Sequence, residues 1–187
     1  MKHNVIALTG GIGSGKSVVG NYLRQKGFTV VDCDQLSRQV SIQPQVLNDV
    51  ANLLGEGYVI NGQLNRAKIR NVIFSDQNLH KQYNQIFHTR IRRELCQLVE
   101  QSNGTVFVEI PLIDAFDFAW QQIWLVQRSL NDRVNAVVKR DGVTSQNVFD
   151  IASKQAICTN PTETIVNDGG LQQLYTQVDK LLQKYNL

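Results

Sequence analysis

The order of apolar and polar positions divides the chain into short strands and longer helices. Val5-Ile6-Ala7-Leu8 is a continuous apolar run, the pattern of a strand buried on both faces. Residues 16–26 switch to helical spacing, Gly27 breaks it, and residues 29–32 return to strand character. Strand, helix, strand is a βαβ unit, which predicts a parallel sheet with right-handed crossovers. A mostly helical stretch follows. Val46, Val50, Leu53 and Leu54 fall at helical spacing behind Pro44. Gly55 ends that helix, and Gly57 and Asn61-Gly62 mark turns. Residues 66–74 predict a short helix. Ser75 or Asp76 caps a longer one that runs to about Gln101. Its apolar face is Ile86, Phe87, Ile91, Leu95, Leu98 and Val99, and Arg90, Arg92 and Arg93 form a solvated side.

Strand patterning resumes at 105–110 and 123–126, with the aromatic stretch Phe116-Asp117-Phe118-Ala119-Trp120 between them. Trp120 and Trp124 read as packing residues. Residues 130–140 and 145–154 predict two helices, joined through Asp141-Gly142 and capped at Thr144. A last short strand at 164–166 turns through Asn167-Asp168-Gly169-Gly170. Leu171, Leu174, Val178, Leu181 and Leu182 then define a closing amphipathic helix. The alternation predicts an α/β three-layer fold in a single domain. Its core is expected at about 1–36, 103–128 and 162–187, with a helical insert at 37–102 and a small helical lid at 129–160.

Composition narrows the function classes. A chain of 187 residues with 42% hydrophobic content can fill a core. A net charge of +3 suits a phosphorylated substrate and is too small to argue for nucleic acid. Cys33, Cys96 and Cys158 are widely spaced with no C-x-x-C pair. That argues against a zinc or disulfide framework and points to a reducing compartment. No targeting segment stands before the first strand, and no apolar run approaches the ~20 residues that span a bilayer. The expectation is a soluble, cytoplasmic protein without an obligate protein partner.

The densest chemistry follows the first strand. Gly10-Gly11-Ile12-Gly13-Ser14-Gly15-Lys16-Ser17 is a complete G-x-x-x-x-G-K-[ST] phosphate loop, set between a strand and a helix as that motif requires. Glycines let successive N–H groups converge on phosphate oxygens, and the following helix adds its N-terminal positive potential. Gly11 to Val18 are therefore the nucleotide-binding candidates. Lys16 is the cation for the β- and γ-phosphates, and Ser17 is the Mg²⁺ ligand. Neither N-K-x-D nor D-x-x-G occurs, which argues against a GTPase, and small size argues against a motor. A small-molecule kinase using ATP and Mg²⁺ fits best. Asp32-Cys33-Asp34 closes the second strand, where ligands of open α/β sheets bind. A carboxylate there can accept the proton of an attacking hydroxyl, and Arg38, one helical turn beyond Asp34, can clamp an anionic acceptor. Glu109, at the end of an apolar strand, can act through water on Mg²⁺ or serve as an acid at the edge of the core.

With these residues the chain resembles dephospho-coenzyme A kinases. The likeness rests on Thr9 to Ser17, on Val31-Asp32-Cys33-Asp34 with Arg38, and on Gly62-Gln63-Leu64-Asn65-Arg66. It continues through Ile73-Phe74, Asp76, His88, Pro111-Leu112, Arg140-Asp141, Val143-Thr144, Gln155 and Asn167-Asp168-Gly169, in order over the whole length. The resemblance implies a phosphate-loop kinase fold and ATP-dependent phosphorylation of the ribose 3′-hydroxyl of dephospho-CoA, the last step of coenzyme A synthesis. It implies Asp34 as general base and Asp32, Arg38, Arg66 and His88 on the acceptor side. Arg140 would be a lid residue at the phosphates, catalytic with Lys16 and Asp34, and Asn167 and Gly169 would flank the adenine. The chain departs from the family pattern at Val18, Ala115, Ala136, Ile157 and Cys158, places where Thr, Glu or Arg is usual. Arg133 or Lys139 are the nearby cations that could replace a lost lid arginine. Two alternatives stay open: a nucleotide-binding protein of the same fold with weak or no transfer activity, and another small-molecule kinase.

Overall fold

The computed structural model describes residues 4–113 and 118–187. The departure at Ala115, with its neighbour Asp114, and the first half of the aromatic stretch, Phe116 and Asp117, lie outside the described residues. The first strand, β1, is Val5–Thr9, followed by helix α1, Lys16–Gln25, and strand β2, Thr29–Asp32. Four helices come next: α2 (Cys33–Val40), α3 (Pro44–Leu54), α4 (Arg66–Ile73) and α5 (Gln77–Gln101). Two short strands, β3 (Val59–Ile60) and β4 (Gln63–Leu64), pair antiparallel between α3 and α4. The chain then runs through β5 (Val106–Glu109), β6 (Gln122–Gln127), α6 (Leu130–Asp141), α7 (Ser145–Lys154), β7 (Glu163–Val166) and α8 (Leu171–Lys184).

The chain divides into two compact units, Met1–Asp32 with Val99–Leu187, and Cys33–Leu98. The first unit holds a five-stranded sheet in the order β2-β5-β1-β6-β7, with every pairing parallel. β1 is buried at all five positions. That is why its sequence is a continuous apolar run rather than an alternating one. Ile6, Leu8, Phe107, Trp124, Val126 and Ile165 of the sheet pack with Val19 and Leu23 of α1 and with Leu174, Val178 and Leu182 of α8. Removing a fully buried side chain from this cluster should cost about 2–5 kcal/mol. A second, smaller cluster joins α6 to α7 through Val134, Val137, Val148 and Ala152, with Ile12 packed against it.

The second unit is helical apart from the β3–β4 hairpin. Its buried positions include Leu36 and Val40 of α2, Val46 and Val50 of α3, Ile69 of α4, and Ile91 and Leu95 of α5. Asp76 caps α5, its Oδ1 accepting from the N–H groups of Asn78 at 2.8 Å and Leu79 at 3.0 Å. Asn65 caps α4 by accepting from Lys68 N–H at 3.1 Å.

Two local expectations change. The Asn61-Gly62 turn closes the β3–β4 hairpin, which turn signals alone left without flanking strands. Each strand is two residues long, too short to carry a period of its own. The second strand ends at Asp32, and Asp34 belongs to the first turn of α2 rather than to the strand end. A carboxylate is favoured in that position by the helix dipole.

Candidate active site

The phosphate loop leaves the C-terminal end of β1, between β5 on one side and β6 on the other. In an open parallel sheet this crevice, where the strand order changes direction, is where a ligand sits. Gly15 is the N-cap of α1 with φ +99°, and a Cβ there would stand 2.3 Å from Asn167 Nδ2. Only glycine satisfies both constraints. Asn167 donates from Nδ2 to the Ser14 carbonyl at 2.8 Å, and its own N–H donates to the Gln127 carbonyl at 2.8 Å. The turn after β7 is therefore fastened both to the loop and to β6. Asp168 Oδ1 accepts from Ser129 N–H at 3.1 Å, and Gly169 packs against the Gln173 side chain.

Lys16 Nζ donates to the Gly10 carbonyl at 2.6 Å and to the Gly11 carbonyl at 3.2 Å. Ser17 and Val18 open α1, with Ser17 exposed. Glu109, at the end of β5, is paired in register with both Leu8 and Asp32. It is 6% exposed, and its Oε1 lies 3.3 Å from Arg24 Nη2. Burial raises its carboxyl above the ordinary 4.5. Arg24 opposes that shift, the negative charge of Asp32 adds to it, and Lys16 and the Ser17 hydroxyl draw it back down. Asp32, Glu109, Lys16 and Ser17 thus form one electrostatically coupled group at the ends of three neighbouring strands. The hydroxyl of Ser17 with two nearby carboxylates is a hard-oxygen donor set, the kind that suits Mg²⁺. Among the described residues no cluster of three or more His, Cys, Asp or Glu stands ready to hold a metal by itself.

The acceptor-side candidates lie differently. Asp34 and Arg38 are exposed on α2, four residues apart. Arg66, at the start of α4, donates from Nη2 to Ser41 Oγ at 3.1 Å, and that hydroxyl donates to the Arg38 carbonyl at 2.7 Å. Arg66 is thereby drawn to the end of α2. His88 is half-buried on α5, and burial lowers its imidazole below the ordinary 6.5. It is therefore largely neutral at pH 7. Tyr83, five residues earlier on α5, is raised by burial, with the charge of Arg66 acting against the shift.

Helix α6 places its two arginines in contrasting ways. Arg140 is exposed, its guanidinium forked onto the neighbouring Asp141 with Nε–Oδ1 2.7 Å and Nη2–Oδ2 2.8 Å. Arg133 is 4% exposed and turned inward, donating from Nε to the Ile12 carbonyl at 2.9 Å. Gln155, after α7, accepts the Ile12 N–H on its Oε1 at 2.6 Å. The sequence pattern puts Arg133 in the lid and Gln155 among the family-like positions, but gives no sign that both close on Ile12. Polar residues more than 100 positions from their partner carry no local signal of it. The pairing of Arg24 with Glu109 is equally invisible to pattern.

Comparison with known proteins places this arrangement. A family model described as dephospho-CoA kinase matches residues 4–172. A dephospho-CoA kinase of Shouchella clausii is 34% identical over 96% of this chain and 97% of its own length. A solved structure from Thermus thermophilus superposes with a TM-score of 0.83 at 29% identity, covering 98% of each chain. A dephospho-CoA kinase structure from Campylobacter jejuni, at 18% identity, shares the fold with a TM-score of 0.64 over 99% of this chain and 100% of that one.

Proposed function

This chain belongs to the dephospho-CoA kinase family, and on that premise we propose that it transfers the γ-phosphoryl group of ATP to the ribose 3′-hydroxyl of dephospho-CoA. The products are coenzyme A and ADP. The observation that carries the reading is the intact phosphate loop at the C-terminal end of β1, flanked by the carboxylates of Asp32 and Glu109. Full-length similarity to the family selects the acceptor.

Each residue then has a task. Backbone N–H groups from Gly11 to Val18 bind the phosphates, and α1 adds its N-terminal potential. Lys16 exchanges the Gly10 and Gly11 carbonyls for phosphate oxygens. Ser17 would hold Mg²⁺, with Glu109 acting through water. When bound, the ion neutralises charge that develops on the transferred group. Asp34 takes the proton of the 3′-hydroxyl as that oxygen bonds to the γ-phosphorus. The bond from phosphorus to the bridging oxygen breaks, and ADP leaves with the electron pair. Asp32, Arg38, Arg66 and His88 orient the acceptor, Arg140 adds positive charge at the phosphates, and Asn167 and Gly169 flank the adenine. The reaction draws on small molecules only and is assigned to the cytoplasm, and no helix among the described residues is long and apolar enough to cross a membrane.

The test is Asp34→Asn. That variant should bind ADP as the parent does and lose at least ~100-fold in turnover, the usual scale of a general base. Near-normal turnover would remove Asp34 from the role.

A further inference from the structure

Ile12 is held from three directions by the α6–α7 pair. Its carbonyl accepts from Arg133 Nε at 2.9 Å, its N–H donates to Gln155 Oε1 at 2.6 Å, and its side chain packs on the Val134, Val137, Val148 and Ala152 cluster. Arg133 is only 4% exposed, and its Nη2 also reaches the Ala152 carbonyl at 3.4 Å and Gln155 Oε1 at 3.5 Å. These partners are all uncharged oxygens, and among the described residues no carboxylate pairs with Arg133. The fit to the loop is close. A Cβ on Gly11 would stand 2.1 Å from Arg133 Nη2, and one on Gly13 would stand 2.3 Å from the Arg133 carbonyl. Both glycines leave room for this one residue of α6. A buried guanidinium without a counter-charge is costly to desolvate, so such a group persists when its geometry serves something else.

We propose that Arg133 is the positioning residue of the phosphate loop, acting on bound nucleotide through the Ile12 peptide rather than by touching the acceptor. The planar fork of arginine links α6, α7 and the loop in one set of bonds, which neither glutamine nor lysine can reproduce. Gln155 fixes the other side of the same peptide. Any displacement of the α6–α7 pair is thereby transmitted to the loop that cradles the phosphates. Only Arg133, of the two lid arginines, makes this link, because Arg140 is engaged with Asp141.

The proposal rests on the loop being the ATP site, and its test separates the two ideas. Arg133→Gln and Arg133→Lys are assayed for the KM of ATP, the KM of dephospho-CoA, kcat, ADP binding by calorimetry, and the thermal midpoint without ligand. Arg133→Gln should weaken ADP binding and raise the ATP KM by ten-fold or more, with the acceptor KM within two-fold of the parent. Arg133→Lys should recover only part of the loss. Unchanged nucleotide affinity in folded Arg133→Gln overturns the proposal. So does an equal loss for both substrates that tracks the loss of folded protein. If Arg133→Gln does not fold, Gln155→Ala removes the opposite bond from a half-exposed side chain. It should give the same nucleotide-selective loss, and an unchanged ADP affinity would overturn the proposal. Absence of turnover in the parent would count against the assigned reaction alone, since ADP binding tests the positioning role directly.

Discussion

At the residue scale, Glu109 is the most exposed to a simple physical test. Burial raises its carboxyl, so the folded state binds its proton more tightly than the unfolded chain does. A group raised in this way contributes fully below the unfolded value and loses that contribution as pH rises through the folded value. Each ten-fold gain in proton affinity on folding corresponds to about 1.4 kcal/mol. Glu109→Gln should therefore be as stable as the parent near pH 4 and more stable than the parent at pH 7 to 8. Thermal midpoints across that range check it, and a parent that gains on the variant as pH rises would contradict it. Lys16 gives a second test at this scale. Its ammonium rests on two loop carbonyls, so Lys16→Ala should leave the fold standing and reduce transfer by orders of magnitude. Turnover and a thermal scan on one sample separate the two effects.

At the element scale, α6 shows how local chemistry and function divide along one helix. Ser129 caps it, its Oγ accepting from Asp132 N–H at 3.2 Å and donating to Asp132 Oδ2 at 2.6 Å. Ser129→Ala should cost about 1 kcal/mol, read as a fall of roughly 2–4 °C in the thermal midpoint. At the other end, the exposed Arg140–Asp141 pair adds little to stability. Arg140→Ala should hold the midpoint within about 2 °C, while its proposed role at the phosphates requires a fall in turnover of at least ten-fold. Unchanged turnover would leave Arg133 as the functional cation of this helix. Elements with a full period are readable from sequence. β1 and α7 stand at their expected bounds, and Asp76 caps α5 as its position suggests. Thr144 occupies the expected cap position of α7, but its side chain makes no capping bond. Elements without a period of their own, β3 and β4, are visible only as turns.

At the scale of the whole molecule, the parallel sheet follows from the βαβ pattern, and the loop motif locates the crevice where its strand order turns. The sequence can therefore be read as far as Gly10 to Ser17 and the carboxylates at the strand ends. It cannot be read as far as the bonds that assemble the site. Asn167 reaches Ser14, Arg133 reaches Ile12 and Arg24 reaches Glu109 across 153, 121 and 85 positions. Such pairings depend on the completed sheet and leave no trace in any window of the chain. The proposed acceptor-side residues Asp34, Arg38, Arg66 and His88 lie in the second unit, and the phosphate loop, Asp32 and Arg140 in the first. The proposed transfer draws on residues of both units, so activity reports on the whole account at once. The most direct measurement is coenzyme A formation, followed by mass detection, by the purified protein with ATP, Mg²⁺ and dephospho-CoA. The account predicts product that requires all three and is lost in Asp34→Asn. ATP binding without coenzyme A, in a folded protein supplied with all three, would contradict it.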